Sequence, residues 1–178
     1  IYGQYFNLLL EPIGTNFRIN AGGVAEQTDP AVAATADSGF VIVWIDYRKG
    51  TPQVYGRKIN GDRTFFAPET SVGTSANPHL KPDVSADENG MCWITWLESI
   101  SFDYEVYFTR FRSNNEFTRD FAQVLVNDSS DDYQWYPEIA SIPEGTTMIC
   151  WEDRRNGNSD IYAQLFDSTA SKRGSNLR

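Results

Sequence analysis

One spacing constrains this chain more than any other: a Pro is followed fourteen residues later by a Trp and, eleven after that, by a Tyr, three times over, at Pro30-Trp44-Tyr55, Pro82-Trp96-Tyr107 and Pro137-Trp151-Tyr162. All length variation falls between these units. A repeat with a rigid interior and elastic links describes a stack of supersecondary units that share their cores with their neighbours. The fullest copy ends Trp151-Glu152-Asp153-Arg154-Arg155-Asn156-Gly157-Asn158-Ser159-Asp160-Ile161-Tyr162-Ala163-Gln164-Leu165-Phe166, and its tail recurs as Ile1-Tyr2-Gly3-Gln4-Tyr5-Phe6.

Within a unit the chain reads as short β segments separated by turn residues. In the first unit these are Pro30 to Ala36, then the β-branched run Phe40 to Ile45, then Gln53 to Asn60, then Phe65 to Val72. No segment carries a helical period. A Pro opening each first strand sits where a missing N–H is tolerated. Four antiparallel strands per unit of about 50 residues predict a β-propeller blade. The expected fold is all-β: residues 1–20 the last two strands of a blade, 30–72 and 82–127 two blades, and 137–178 a blade whose fourth strand is a remnant from Ser175. About three and a half blades make a partial ring, since propellers typically close with four to eight. Either the rest of the propeller lies outside these residues, the reading we prefer because residue 1 falls inside a repeat, or a second copy completes a seven-bladed ring.

The pattern resembles a repeat of large secreted and surface-exposed bacterial proteins: a Pro-x-Val strand, an Asp-Gly turn, a Val-rich strand ending Trp-x-Asp-x-Arg, then Gly-x-x-Asp-Ile-Tyr-x-Gln-x-Phe. Pro137 to Asp167 matches it most fully, whereas the second unit departs from it, with Leu97-Glu98-Ser99-Ile100 where Asp and Arg stand elsewhere. The resemblance implies an exported propeller, extracellular or at the cell surface, that serves as a binding or scaffold module and implies no reaction. The Asp boxes of sialidase-like propellers are a more distant similarity, through Thr35-Ala36-Asp37-Ser38-Gly39.

Composition narrows the partners. A net charge of −9 on 178 residues excludes a nucleic-acid partner, because phosphate binding needs a clustered basic surface. No apolar run approaches the roughly 20 residues needed to cross a bilayer, so no membrane insertion is expected. Cys92 and Cys150 occupy different places in their repeats and are expected to be two buried free thiols.

For the site, the sequence offers structural and functional candidates. Trp44, Trp96 and Trp151 are assigned to the core. Asp46 with Arg48, and Asp153 with Arg155, are assigned as charge-assisted clips that close the following turn. Antiparallel alternation places the variable links and the loops between second and third strands on one face, where binding residues concentrate. That face carries Tyr47, Phe102, Tyr104, Tyr133, Trp135 and Tyr136, rings suited to stacking on sugars or anchoring a protein. Asp153, Asn158 and Asp160 alternate along one loop in a pattern that can wrap Ca²⁺; no other cofactor is expected. His79 has no evident nucleophile or metal-ligand companion, and the sequence singles out no pair among its 24 acidic residues. The expectation is therefore a non-enzymatic module binding a glycan or protein. The alternatives are a segment of a sialidase-like or other glycan-processing enzyme and a structural part of a surface filament or envelope complex.

Overall fold

The structure, a computed structural model, describes residues 1–101, 103–113, 117–128 and 133–178. It is a partial β-propeller without a helix among those residues. A two-stranded hairpin, β1 (Tyr2–Phe6) and β2 (Pro12–Arg18), precedes a sheet ordered β3 (Gln27–Ala34), β4 (Phe40–Asp46), β5 (Gln53–Ile59) and β6 (Thr70–Ser71). The second sheet runs β7 (His79–Ala86), β8 (Met91–Ile100), β9 (Asp103–Arg112), with β10 (Thr118–Arg119) and β11 (Val124–Leu125) both paired to β9. The third runs β12 (Gln134–Ser141), β13 (Thr147–Asp153), β14 (Asp160–Phe166) and β15 (Lys172–Leu177). All pairings are antiparallel, and β3, β7 and β12 lie side by side as the innermost strands.

Two details differ from the sequence reading. The third blade has a full fourth strand, β15, where a remnant was expected, because Asp167 to Ser171 form a tight turn with Ala170 N–H donating to Asp167 O at 2.8 Å. The prolines also do not open the inner strands. Pairing starts three residues earlier, and Pro30, Pro82 and Pro137 each sit inside a β-bulge, between Thr28 and Ala31, Leu80 and Asp83, and Trp135 and Glu138. A bulge absorbs the missing donor while letting the strand continue past it.

The cores lie between sheets, as a repeat that buries its faces on its neighbours requires. Trp44 is buried with Tyr55 and Ile42 against Ile19, Tyr5 and Phe17 of the leading hairpin. Trp96 is buried against Val43, Val54 and Val72 of the first sheet, and Trp151 against Trp93, Val106 and Phe108 of the second. Each Trp thus packs on the preceding unit and stands in register with its Tyr: Trp44 with Tyr55, Trp96 with Tyr107, Trp151 with Tyr162. Cys92 is buried as expected, but Cys150, opposite Glu138 on the inner ladder, is only half-buried.

Candidate functional site

The clips come first, because they set the loop face. Asp46 accepts the Arg48 Nε–H at 2.9 Å and the Trp44 indole N–H at 3.1 Å; Asp153 repeats this with Arg155 at 2.9 Å and Trp151 at 3.0 Å. Burial opposes ionisation of both acids. The hydrogen bonds from Arg and Trp outweigh it and hold both carboxyls below their usual range. Each Arg reaches a second carboxylate, Arg48 to Glu69 at 2.6 Å and Arg155 to Asp128 at 2.7 Å, so the clip also ties down an outer link.

The second blade breaks the pattern. Glu98 stands where the Asp would be, and the buried indole N–H of Trp96 has no partner among the described residues. Glu98 instead accepts Asn77 Nδ2 at 2.7 Å and a bond from Gln123, and lies 3.7 Å from the fully buried His79. The Val54 N–H donates to His79 Nδ1 at 3.3 Å, which fixes the proton on Nε2, facing Ser75 Oγ at 3.2 Å. Burial lowers the His79 pKa to about 4 against the opposing pull of Glu98. Both Ser75 and Glu98 lie on the same ring nitrogen, so these residues do not form a nucleophile–base–acid relay.

The inner strands meet in a cleft of about 260 Å³. Its floor is the three bulges: Asp29-Pro30-Ala31, Lys81-Pro82-Asp83 and Tyr136-Pro137-Glu138. Asp29, Lys81 and Tyr136 have φ of 48°, 50° and 49°, left-handed values costly for side chains that precede proline. Three equally strained residues at one axis re-aim the residue after each proline. Two of those are acids. Asp83 accepts the Ile139 N–H at 2.9 Å, which brings β7 against β12 beside Glu138. Glu138 is exposed, and its partial desolvation against the inner strands, then the Asp83 charge and a hydrogen bond to the Asp83 carboxyl, push its pKa up. Lys81 Nζ lies 3.6 Å from Asp29 on the neighbouring inner strand. The cleft therefore holds two neighbouring carboxyls, Asp83 and Glu138, flanked by a third carboxylate and one ammonium, an arrangement able to deliver a proton to a bound oxygen. Sequence reasoning missed Asp83 and Glu138; the readable signal was an acid directly after the repeat proline in two units, with Ala31 in the third.

Four of the six predicted aromatic residues come together next to this cleft. Tyr104 lies 4.5 Å from Trp135 and 6.0 Å from Tyr133, centroid to centroid, and Trp135 lies 6.0 Å from Tyr136, which lines the cleft itself. Trp135 and Tyr104 back onto the core while Tyr133 and Tyr136 are exposed. Tyr47 packs apart from them against the core between the first two sheets, and Phe102 lies outside the described residues, as do 129–132 of the acidic run Asp128 to Asp132. Of the cation candidates, Asp153 is engaged by Trp151 and Arg155. Asp160 accepts Asn156 Nδ2 at 3.1 Å and Arg178 at 2.9 Å, and Asn158 is exposed. Asp153 and Asp160 stand opposite each other on the β13–β14 ladder with both carboxylates engaged by arginines, and among the described residues no group of three or more His, Cys, Asp or Glu could hold a metal ion.

No family model matches the chain, and no curated protein does. Solved structures do. The endo-arabinase from Bacteroides thetaiotaomicron superposes with a TM-score of 0.51 at 13% identity, covering 76% of this chain and 54% of the enzyme. A family 117 glycoside hydrolase produced by the marine bacterium Zobellia galactanivorans gives 0.51 at 11% identity, covering 97% of this chain and 60% of the hydrolase. The chain thus spans little more than half the length of either. Likeness at this identity establishes the β-propeller fold. The expectation of a non-enzymatic binding or scaffold module is corrected in one respect: the two structures that superpose here are named as an endo-arabinase and a glycoside hydrolase, not as binding or scaffold modules.

Proposed function

We propose that these residues form part of a glycan-processing propeller enzyme that acts outside the cell and cleaves a glycosidic bond by acid–base chemistry in the cleft of the inner strands. The observation that carries this reading is the juxtaposition of Glu138 and Asp83 on adjacent inner strands, where the neighbouring carboxylate contributes to raising the Glu138 pKa. In the proposed step Glu138 gives its proton to the glycosidic oxygen as the bond from that oxygen to the anomeric carbon breaks. Water adds its hydroxyl to that carbon, and its remaining proton goes to a carboxylate of the cleft, for which Asp29 beside Lys81 is the nominee. Asp83 is then a positioning residue that keeps the proton on Glu138. The rings of Tyr136 and Tyr133, backed by Trp135 and Tyr104, give a sugar chain an apolar shelf beside the acid.

Release of reducing ends from a panel of polysaccharides, arabinan first, is the test. Turnover that disappears in Glu138→Gln and shifts its pH profile in Asp83→Asn is expected. Turnover unchanged in Glu138→Gln, or absent on every glycan, removes the proposal.

A further inference from the structure

The leading hairpin is the outer half of a blade, and its detail shows what the other half must be. Gln4 sits in a bulge of β1 and donates to Tyr5 O at 2.8 Å and Ile13 O at 3.2 Å. Gln164 sits in the same bulge of β14 and donates to Leu165 O at 2.9 Å and Arg173 O at 3.4 Å. Tyr5 is paired with Ile13 as Leu165 is with Arg173, so β1 and β2 correspond residue for residue to β14 and β15.

Their surroundings differ. Tyr162 is 8% exposed and Phe166 fully buried, because β13 pairs with β14 and brings Trp151 and Ile149 over them. The equivalent Tyr2 is 69% exposed and Phe6 58%. Among the described residues β1 pairs with β2 alone, and between β1 and the first sheet runs an apolar groove of about 410 Å³, walled by Tyr2 and Phe6 on one side and Val32, Phe40 and Ile42 on the other. That second wall belongs to the sheet on which the hairpin already packs, so the groove continues an interface present in the molecule.

We infer that this groove binds a β-hairpin built like the inner pair of this chain's own repeat: a first strand bulged at proline, then a second strand ending Trp-x-Asp that pairs with β1 and lays its Trp against Tyr2. The occupant is an inner hairpin of that chemistry, not the outer pair of a second copy of this chain. Every inner strand of these residues, β3, β4, β7, β8, β12 and β13, is already committed to a complete sheet. A second copy therefore offers only another outer pair, and two outer pairs lack the narrow inner strands that approach the axis. Unlike the glycan reading, this inference uses no residue of the carboxyl cleft.

The probe is a synthetic peptide of residues 134–153, the inner hairpin of the third blade, added to the 178-residue protein. One-to-one binding is expected, with backbone amide exchange across Tyr2–Phe6 slowed more than about tenfold. A peptide with Trp151→Ala, and protein with Phe6→Asp, should both lose the effect. Because an isolated hairpin is marginal in water, the same peptide is also tethered to residue 178 through a flexible linker, which raises its effective concentration to about millimolar. If β1 amides exchange equally fast with the tether, or if the untethered protein sediments as a dimer with those amides already protected, the inference is overturned, in the latter case in favour of a second copy.

Discussion

The Asp83 carboxylate accepts the Ile139 backbone N–H at 2.9 Å across the boundary between the second and third sheets, one residue from Glu138. A single side chain thereby joins two blades and, after desolvation, adds to the proton affinity of the acid beside it. The two roles separate by substitution. Asp83→Ala strands the Ile139 N–H and is expected to cost about 1–3 kcal/mol in chemical denaturation. Asp83→Asn removes the charge, and the Glu138 pKa is expected to fall toward its ordinary value, read by NMR titration of the Glu138 carboxyl carbon. A Glu138 pKa unmoved by Asp83→Asn contradicts the pairing.

Glu138 also leaves a mark on stability. Its folded pKa lies above its unfolded value, so the proton held in the native state stabilises it at low pH, and that contribution is lost as pH rises from about 4.5 through the folded pKa. The difference in stability between wild type and Glu138→Gln should therefore change across this window and be level above it.

The Asp153 clip predicts a larger loss. Asp153 is fully buried and holds both Trp151 and Arg155, whose side chain is 16% exposed. Asp153→Ala leaves a mostly buried guanidinium short of its partner and an indole N–H unpaired, at about 3 kcal/mol by urea denaturation. A loss under about 1 kcal/mol shows the clip to be a surface ornament.

His79 makes the fold acid-sensitive in a defined range. Its pKa is lowered from 6.5 to about 4, so between these values the unfolded chain binds a proton that the native state does not. Stability is full above pH 6.5 and falls as pH drops toward 4. A His79→Gln variant should show a flatter dependence between pH 6.5 and 4, although less stable at pH 7; an unaltered slope there rules His79 out as its source.

Gly73 is the backbone counterpart of that histidine. A Cβ built on it would lie 2.0 Å from His79 Cε1, inside a ring that is fully buried and cannot retreat. Gly73→Ala is expected to destabilise by about 1–3 kcal/mol through overpacking, and pairing it with His79→Ala should recover part of the loss in a double-mutant cycle.

Periodicity alone gave the architecture. The spacing from Pro to Trp to Tyr required equal strands, and the Trp-Tyr pairs and Asp-Arg clips followed because each lies within one hairpin, where neighbours in space are near neighbours in sequence. The full β15 was missed because Lys172 to Leu177 lacks the β-branched run that marks a buried strand; it is an outer strand made by a turn and pairing with β14. The proline bulges were misread as strand starts, since a Pro shows that a donor is missing but not whether the ladder continues beyond it.

What only the tertiary structure decided is whatever crosses between blades. Asp83 and Glu138 are 55 positions apart and meet only because β7 and β12 converge on one axis, each acid re-aimed by the strained residue two before it. The gathering of Tyr104 with Trp135 and the dispersal of Tyr47 have the same origin. A repeat sequence dictates each unit and the faces it must bury; which side chains face one another across the boundary depends on how the units are rotated about their axis, a quantity set by packing and invisible in any one repeat.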